Sequence, residues 1–175
     1  YSPAMIKTKN TELKNIDLEN YNIKQYFDKG VLQCKFGNVE VELFVAPENV
    51  ICFEIKAPEA DNLPVVEIKL PDTCESENIQ SEENGVKYHS RKFCGEKVCR
   101  ESAVAVCLKE LSSDTLDGFK TTRYGVSVAT NFDAEDYKSK AFDLVLKCDY
   151  DLLKKQTEEK WKKFFSASKV TLQDK

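Results

Sequence analysis

The stretch "VEVELFVAPENVICFEIKA", Val39–Ala57, decides the fold class of this chain. In its first half, valine or leucine occupies the odd positions of residues 39–45, and Glu40 and Glu42 point to an opposite, solvated face. In its second half, Ile51, Phe53 and Ile55 alternate in the same way. Between the halves, "APEN" has the proline and asparagine typical of a turn. Because side chains in a strand alternate between two faces, the stretch predicts two antiparallel strands joined by a tight connection.

The same two-residue period recurs along most of the chain. It appears in "VLQCKF" (31–36), "PVVEIKL" (64–70), "ESAVAVCLKEL" (101–111) and "YGVSVAT" (124–130). The acidic run "DTCESENIQSEENG", Asp72–Gly85, predicts a hairpin tip or a mobile loop instead. Several short strands with frequent turn signals are typical of a mostly β, antiparallel β-sandwich. We therefore expect residues 1–132 to form a β-sandwich domain.

The period changes after residue 132. Residues 133–165 show helical spacing, with apolar side chains at steps of three and four. Asp133 is the expected N-cap, and a break is expected near Asp149–Asp151, because a single helix of this length would be unusual. Trp161, Phe164 and Phe165 stand at i, i+3 and i+4, which predicts an aromatic stripe on one helix face. We expect residues 133–175 to be a helical segment, either a tail that docks on its own sandwich or a linker to a further domain.

Composition excludes two classes of partner. The net charge of -4 lacks the basic excess that binding to phosphate backbones requires, so we expect no nucleic-acid partner. No apolar run approaches the ~20 residues that cross a bilayer, so we expect no membrane partner. Hydrophobic residues make up 41% of the chain, which is enough for a packed core.

The cysteines favour a reducing compartment. The chain has 7 cysteines, an odd number at irregular spacing, and no N-x-S/T glycosylation sequon. Cys94 and Cys99 could bridge a tight loop, whereas Cys34 fits a buried free thiol in a strand. These features favour a reducing compartment such as the cytoplasm over secretion.

The residues that could carry chemistry have simpler structural interpretations. His89 is the only histidine, and it lies in a strand-like segment with no nucleophile motif, so we interpret it as a surface or hydrogen-bonded strand residue. The acids of "DAEDY", Asp133–Tyr137, lack the spacing of a calcium loop and fit a helix start. No C-x-x-C pair starts a zinc site, and no glycine-rich loop could bind phosphate. We predict no catalytic residue, no metal site and no cofactor in this chain.

Four stretches resemble those of a known group of enzymes. "FDKG", Phe27–Gly30, and "PENVI", Pro47–Ile51, stand at turn positions of that group, and "SVATNFD", Ser127–Asp133, resembles its last strand. The end of the chain is similar to a pattern of the form L…W-x-x-F-W-x-x-S-x-V-x-L-x-D. The matching residues are Leu152, Trp161, Phe164, Ser168, Val170, Leu172 and Asp174. Phe165 replaces the second tryptophan, and Gln156 or Thr157 stands where a histidine is usual.

These motifs resemble the N-terminal β-domain of bacterial glycoside hydrolases with an (α/α)6 barrel, a group that includes family 95 α-fucosidases and family 65-like phosphorylases. The resemblance implies a super-sandwich, a helical linker and a catalytic barrel that is absent from this chain. The barrel would carry the catalytic carboxylates and bind the carbohydrate. The sandwich would support the barrel, and the loops at Asp72–Gly85 and Lys92–Cys99 could shape the substrate cleft.

Two other classes of protein remain open from the sequence. A stand-alone carbohydrate-binding or adhesion module predicts exposed aromatic side chains on one sheet face, with Tyr88, Phe93 and Tyr124 as the candidates. A secreted ligand-binding β-sandwich stapled by disulfides predicts three cysteine pairs. Counting free thiols tests the second of these classes.

Overall fold

The hairpin predicted from residues 39–57 lies inside a large antiparallel sheet. In the computed structural model, which describes residues 5–8, 21–59, 66–70, 75–94 and 100–167, Ala46 pairs with Val50 and Val41 with Ile55. One 3₁₀ turn, Pro47–Asn49, joins the two strands. This register confirms the predicted pairing.

The described residues form ten strands and two helices. In chain order the strands are β1 (Met5–Thr8), β2 (Tyr21–Tyr26), β3 (Val31–Phe36), β4 (Val39–Ala46), β5 (Val50–Pro58), β6 (Val66–Lys69), β7 (Ser76–Glu83), β8 (Val86–Phe93), β9 (Ser102–Leu116) and β10 (Phe119–Thr130). The helices are α1 (Tyr137–Leu146) and α2 (Tyr150–Ser166). The main sheet has the strand order β2-β3-β4-β5-β10-β9-β8-β7, and β1 pairs with β6 in a second, two-stranded sheet.

The main sheet is covered on both faces. On one face Val66 and Ile68 of β6 pack on Phe53, Ile55 and Val106. On the other face lie the helices, with α1 over β9 and β10 and the first turns of α2 over β4 and β5. The fold is thus mostly β, an antiparallel sandwich with two C-terminal helices, as the sequence predicts.

Because both faces of the sheet are covered, the burial of the β4 side chains differs from the expected alternation. Phe44 and Ala46, on the face expected to meet solvent, are buried beneath α2, whereas Val45 is exposed. Glu40 is exposed as predicted, but Glu42 is not solvated, because α2 lies over it. The periodicity identified the strand and could not show that a helix would cover its second face.

The run Asp72–Gly85, predicted to be a hairpin tip or a mobile loop, is in its described part mainly a strand that ends in a hairpin turn. Residues 76–83 form β7, which pairs with β8 along its whole length, and Asn84 and Gly85 make the turn, both with positive φ. Strand β7 is an edge strand of the sheet, and almost every one of its side chains is exposed. Polar and acidic side chains suit an exposed edge, since they discourage pairing with other chains.

The helical region begins later than predicted. Asp136, not Asp133, is the N-cap of α1, and its side chain accepts a hydrogen bond from Ser139 N at 3.1 Å. Asp133 instead accepts from the backbone N and the hydroxyl of Thr130, at 2.8 and 2.7 Å, and closes the preceding turn. The predicted break is confirmed, since α1 ends at Leu146 and Asp149 caps α2.

Helix α1 belongs to the core of the sandwich. Its Ala141 and Val145 are fully buried against Val86, Ala105 and Cys107 of the sheet. A division of the chain at residue 132 stays a prediction, and α1 packs as a layer on the sheet that precedes it. None of the helices in the described ranges is long and apolar enough to span a bilayer.

Candidate functional site

One face of α2 carries the predicted aromatic residues. Tyr150, Leu153, Thr157, Trp161 and Phe165 follow steps of three and four, which place them on one side of a helix. Tyr150 and Thr157 are buried, and Leu153 packs on the core beneath the helix. The helix therefore lies along the sheet at its start and continues towards the β2–β3 turn at its end.

Trp161, Phe164 and Phe165 form a single aromatic cluster, called here the aromatic stripe. The ring of Trp161 stacks on that of Phe165, with centroids 5.7 Å apart and planes at 23°. Phe164 meets both rings edge-on, at 5.7 and 5.3 Å. These are favoured aromatic geometries, so the stripe predicted from the sequence forms.

The aromatic stripe contacts the β2–β3 turn on one side. Phe165 lies 6.4 Å, centroid to centroid, from Phe27. The indole of Trp161 covers Gly30 so closely that a methyl group built there would lie 2.0 Å from its Cδ1. Gly30 also has a φ of +64°, which disfavours other residues. The expected packing of the stripe on its own sandwich is therefore present, through this turn.

The other side of the aromatic stripe faces outward. Phe164 is 62% exposed, against 36% for Trp161. Lys160, Lys163 and Ala167 flank Trp161 and Phe164 in a shallow hollow. Leu152 is exposed as well, because it lies on the far side of the helix. The end of α2 thus presents an aromatic surface with a basic rim.

A largely buried carboxylate fixes the start of α2. Glu42 of β4 accepts hydrogen bonds from Tyr150 Oη at 3.2 Å, Gln33 Nε2 at 3.0 Å and the ammonium of Lys154. Its side chain is 16% exposed. Burial alone would raise the pKa of Glu42, but the hydrogen bonds and the charge of Lys154 outweigh it and lower that pKa.

An arginine completes this attachment from β10. Arg123 Nε donates to Glu54 at 2.7 Å, and its Nη1 donates to Asp151 at 3.1 Å. The guanidinium lies 4.7 Å from the ring centroid of Tyr150, which also meets Phe44 edge-on. The hydrogen bond to Glu54 raises the pKa of Arg123. Glu42 and Arg123 of the sheet thus both bind side chains in the first turns of α2.

A polar groove of 330 Å³ lies on the same sheet face. Its charges largely neutralise one another, as in the Lys35–Glu40 pair at 2.8 Å. The groove is lined mainly by Lys24, Gln33, Lys35, Glu40, Glu54 and Lys56. Paired surface charges of this kind are common on exposed sheets, and they give the groove no chemistry of its own.

The remaining candidate residues are dispersed. His89 lies half-buried in β8, and burial lowers its pKa. Its Nδ1 is buried and has no hydrogen-bond partner among the described residues, so the structure does not show the expected hydrogen bond at this atom. Within those residues, no cluster of three or more His, Cys, Asp or Glu could hold a metal ion. Of the loop Lys92–Cys99, residues 95–99 lie outside the described ranges. Cys94 is a free thiol, so a Cys94–Cys99 bridge, considered from the sequence, is contradicted.

Two features predicted by the rival classes are contradicted. Tyr88 packs on α1, whereas Phe93 and Tyr124 are half-buried on the opposite face, so these three rings make no common exposed surface. Five cysteines are free thiols, which rules out three disulfide pairs in this state. They are Cys34, Cys52, Cys94, Cys107 and Cys148. Cys34 is free as predicted, although only half-buried.

Comparison with known proteins supports the fold alone. No known family profile matches the chain. No curated protein matches it either. Among solved structures it is similar to a chain described as a "putative kojibiose phosphorylase from human microbiome", with a TM-score of 0.56 and 8% identity. The match covers 94% of this chain and 28% of that chain.

The chain thus shares its fold with one part of a much longer chain that is described as a phosphorylase. This agrees with the resemblance to phosphorylases drawn from the sequence. The resemblance to family 95 and the N-terminal position stay predictions. So do the matches at Ser168, Val170, Leu172 and Asp174, which lie outside the described residues.

Proposed function

We propose that this chain is a non-catalytic N-terminal domain of a larger carbohydrate-active enzyme, either a glycoside hydrolase or a phosphorylase. The observation that carries the proposal is the asymmetry of the structural match, which covers 94% of this chain and 28% of the other. A fold that forms a fraction of a longer enzyme is expected to act with the rest of that enzyme. The carbohydrate and the catalytic carboxylates belong, in this proposal, to a further domain in the same chain.

The aromatic stripe supports a contact with that further domain. A helix that only closed its own sandwich would direct its large aromatic rings inward. Here Phe164 is 62% exposed, next to a half-exposed Trp161. Exposed apolar surface with a polar rim is typical of an interface. Trp161, Phe164 and Phe165 are the proposed interdomain residues, and residues 133–175 are the proposed linker.

The polar attachment of α2 supports a scaffolding role. Glu42 and Arg123 hold the first turns of the helix, and Gly30 receives Trp161 near its end. A helix held at both ends presents its aromatic rings in a fixed orientation. The sandwich would therefore support the catalytic domain, and residues 72–85 and 92–99 are the segments we propose to shape its substrate cleft.

Activity assays test the non-catalytic part of this proposal. The purified chain is incubated with aryl glycosides, and with disaccharides plus inorganic phosphate. We expect no turnover. Turnover that disappears in Glu42→Gln or in another single carboxylate variant would show that the chain itself is an enzyme. Binding to a glycan array without turnover would instead favour a stand-alone carbohydrate-binding module.

A further inference from the structure

Two thiols meet beneath the corner between the helices. The Sγ atoms of Cys52, in β5, and Cys148, just before α2, are 3.7 Å apart. Cys52 is fully buried and Cys148 is partly exposed. The two residues are 96 positions apart in the sequence, so the contact exists only in the folded chain.

The sheet is shaped to admit Cys148. Gly125 of β10 pairs directly with Cys52 across the two strands. A methyl group built on Gly125 would lie 3.0 Å from Cys148 Sγ and 3.5 Å from its Cβ. Glycine inside a strand often marks such a close approach. The missing side chain leaves the space in which the Cys148 thiol reaches Cys52.

We propose that Cys52 and Cys148 are a modification site at which a reversible disulfide joins the α1–α2 corner to the sheet. A disulfide needs an S–S distance of about 2.05 Å, so the sulfurs must approach further. Cys52 is fixed in a central strand, whereas Cys148 lies in the short connection between two helices. The connection is therefore the part that moves. This inference is independent of the proposed carbohydrate-related function.

The Cys52–Cys148 disulfide forms by exchange with a low-molecular-weight disulfide such as oxidised glutathione. The Cys148 thiolate attacks one sulfur of the small disulfide, forms a mixed disulfide and releases one small thiolate. The sulfur of Cys52 then attacks Cys148 Sγ and displaces the second small thiolate, which takes up the proton of the Cys52 thiol as it leaves. Two protein thiols are oxidised, and one small disulfide is reduced to two thiols.

The thiol environment fits this order of steps. The hydrogen bond with Cys52 lowers the pKa of Cys148, and the same contact together with burial raises the pKa of Cys52. The partly exposed sulfur is thus the better thiolate and the accessible one. The buried sulfur acts second, after the first has reacted.

Peptide mapping tests the proposal directly. The wild-type chain is equilibrated in glutathione buffers of increasing oxidised fraction, alkylated, and digested with trypsin without reduction. The tryptic peptides 36–56 and 148–154 each contain a single cysteine. We expect mass spectrometry to find them linked, with the linkage reversed by dithiothreitol. Oxidation should also raise the Tm by on the order of 10 °C, since the closed loop is long.

Matched variants separate the two steps. In Cys52→Ser, Cys148 should accumulate as a mixed disulfide with glutathione. In Cys148→Ser, Cys52 should stay reduced because no solvent route reaches it. Cys34, a half-buried thiol elsewhere in the sheet, is the internal control and should form only mixed disulfides. If peptides 36–56 and 148–154 are never linked in the folded wild type at any glutathione ratio, the proposal is wrong.

Discussion

Gly30 lies under the indole ring of Trp161 in a backbone conformation with positive φ. Gly30→Ala should therefore carry two penalties, one for the backbone and one for displacing the ring. We expect a loss of about 2–4 kcal/mol in unfolding free energy, measured by denaturant titration.

Gly37 is a matched control for that substitution. It has a similar φ of +58°, but nothing lies within 4 Å of a methyl group built there. Gly37→Ala should therefore cost only about 1–2 kcal/mol, from the backbone alone. Equal losses for the two variants would mean that Trp161 does not rest on Gly30 in solution.

Glu42 should make stability depend on pH. Its pKa is lower in the folded chain than its ordinary value of 4.5, so the folded state favours the carboxylate. The resulting stabilisation is complete well above pH 4.5 and is lost as the pH falls through the lower, folded value. Glu42→Gln should lower the unfolding free energy at pH 7 by about 1–2 kcal/mol. Between pH 7 and pH 3 the unfolding free energy of the variant should fall less than that of the wild type. Denaturant titrations across this pH range measure both.

Glu40, two residues away on the same strand, is the control for this effect. It pairs with Lys35 at 2.8 Å, but both side chains are more than half exposed. Exposed pairs contribute little, so Glu40→Gln should change the unfolding free energy by about 0.5 kcal/mol or less at pH 7. If the Glu42 and Glu40 variants behave alike, the buried attachment of α2 does not form.

At the scale of elements, the aromatic stripe divides into a docked and an exposed part. Trp161→Ala removes a ring that packs on the β2–β3 turn. It should lower the unfolding free energy by about 1–2 kcal/mol, since the ring is only partly buried. Phe164→Ala removes a mainly exposed ring and should cost about 0.5 kcal/mol or less. Denaturant midpoints measure both. Solvent-like tryptophan emission in the wild type, with equal midpoints for wild type and Trp161→Ala, would show that the end of α2 is undocked.

The strands and the helix break could be predicted because they depend on local pattern. Period-two alternation located β4, β5, β9 and β10, and steps of three and four located the aromatic stripe. Strand β7 was missed because this strand buries neither face, so its side chains show no alternation. Asp133 and Asp136 could each cap a helix, and the sequence does not show which one does. In the structure, Asp133 closes the turn at Thr130 and Asp136 caps α1.

The attachment of α2 could not be predicted because its partners are distant in sequence. Glu42 meets Lys154 across 112 positions, and Cys52 meets Cys148 across 96. In the sequence, Glu42 is one of several glutamates on an alternating strand. The signals that were present were Gly125 inside a strand, which indicates a close approach, and Tyr150 and Lys154 one helical turn apart.

At the scale of the whole molecule, the sandwich and α2 present an aromatic surface whose proposed partner is a further domain of the same polypeptide. The basic rim of Lys160 and Lys163 around Phe164 favours a partner surface that is apolar at its centre and acidic at its edge. This arrangement agrees with a fold that corresponds to 28% of a longer chain.

The size of the natural polypeptide tests this central claim most directly. An antibody raised against the purified chain is used on denatured extracts of the cells that make the protein, with the 20.0 kDa chain as size standard. The account predicts a single band several times heavier than the standard, whose tryptic peptides continue beyond Lys175. A natural band at the mass of the standard, in extracts protected from proteolysis, would contradict it.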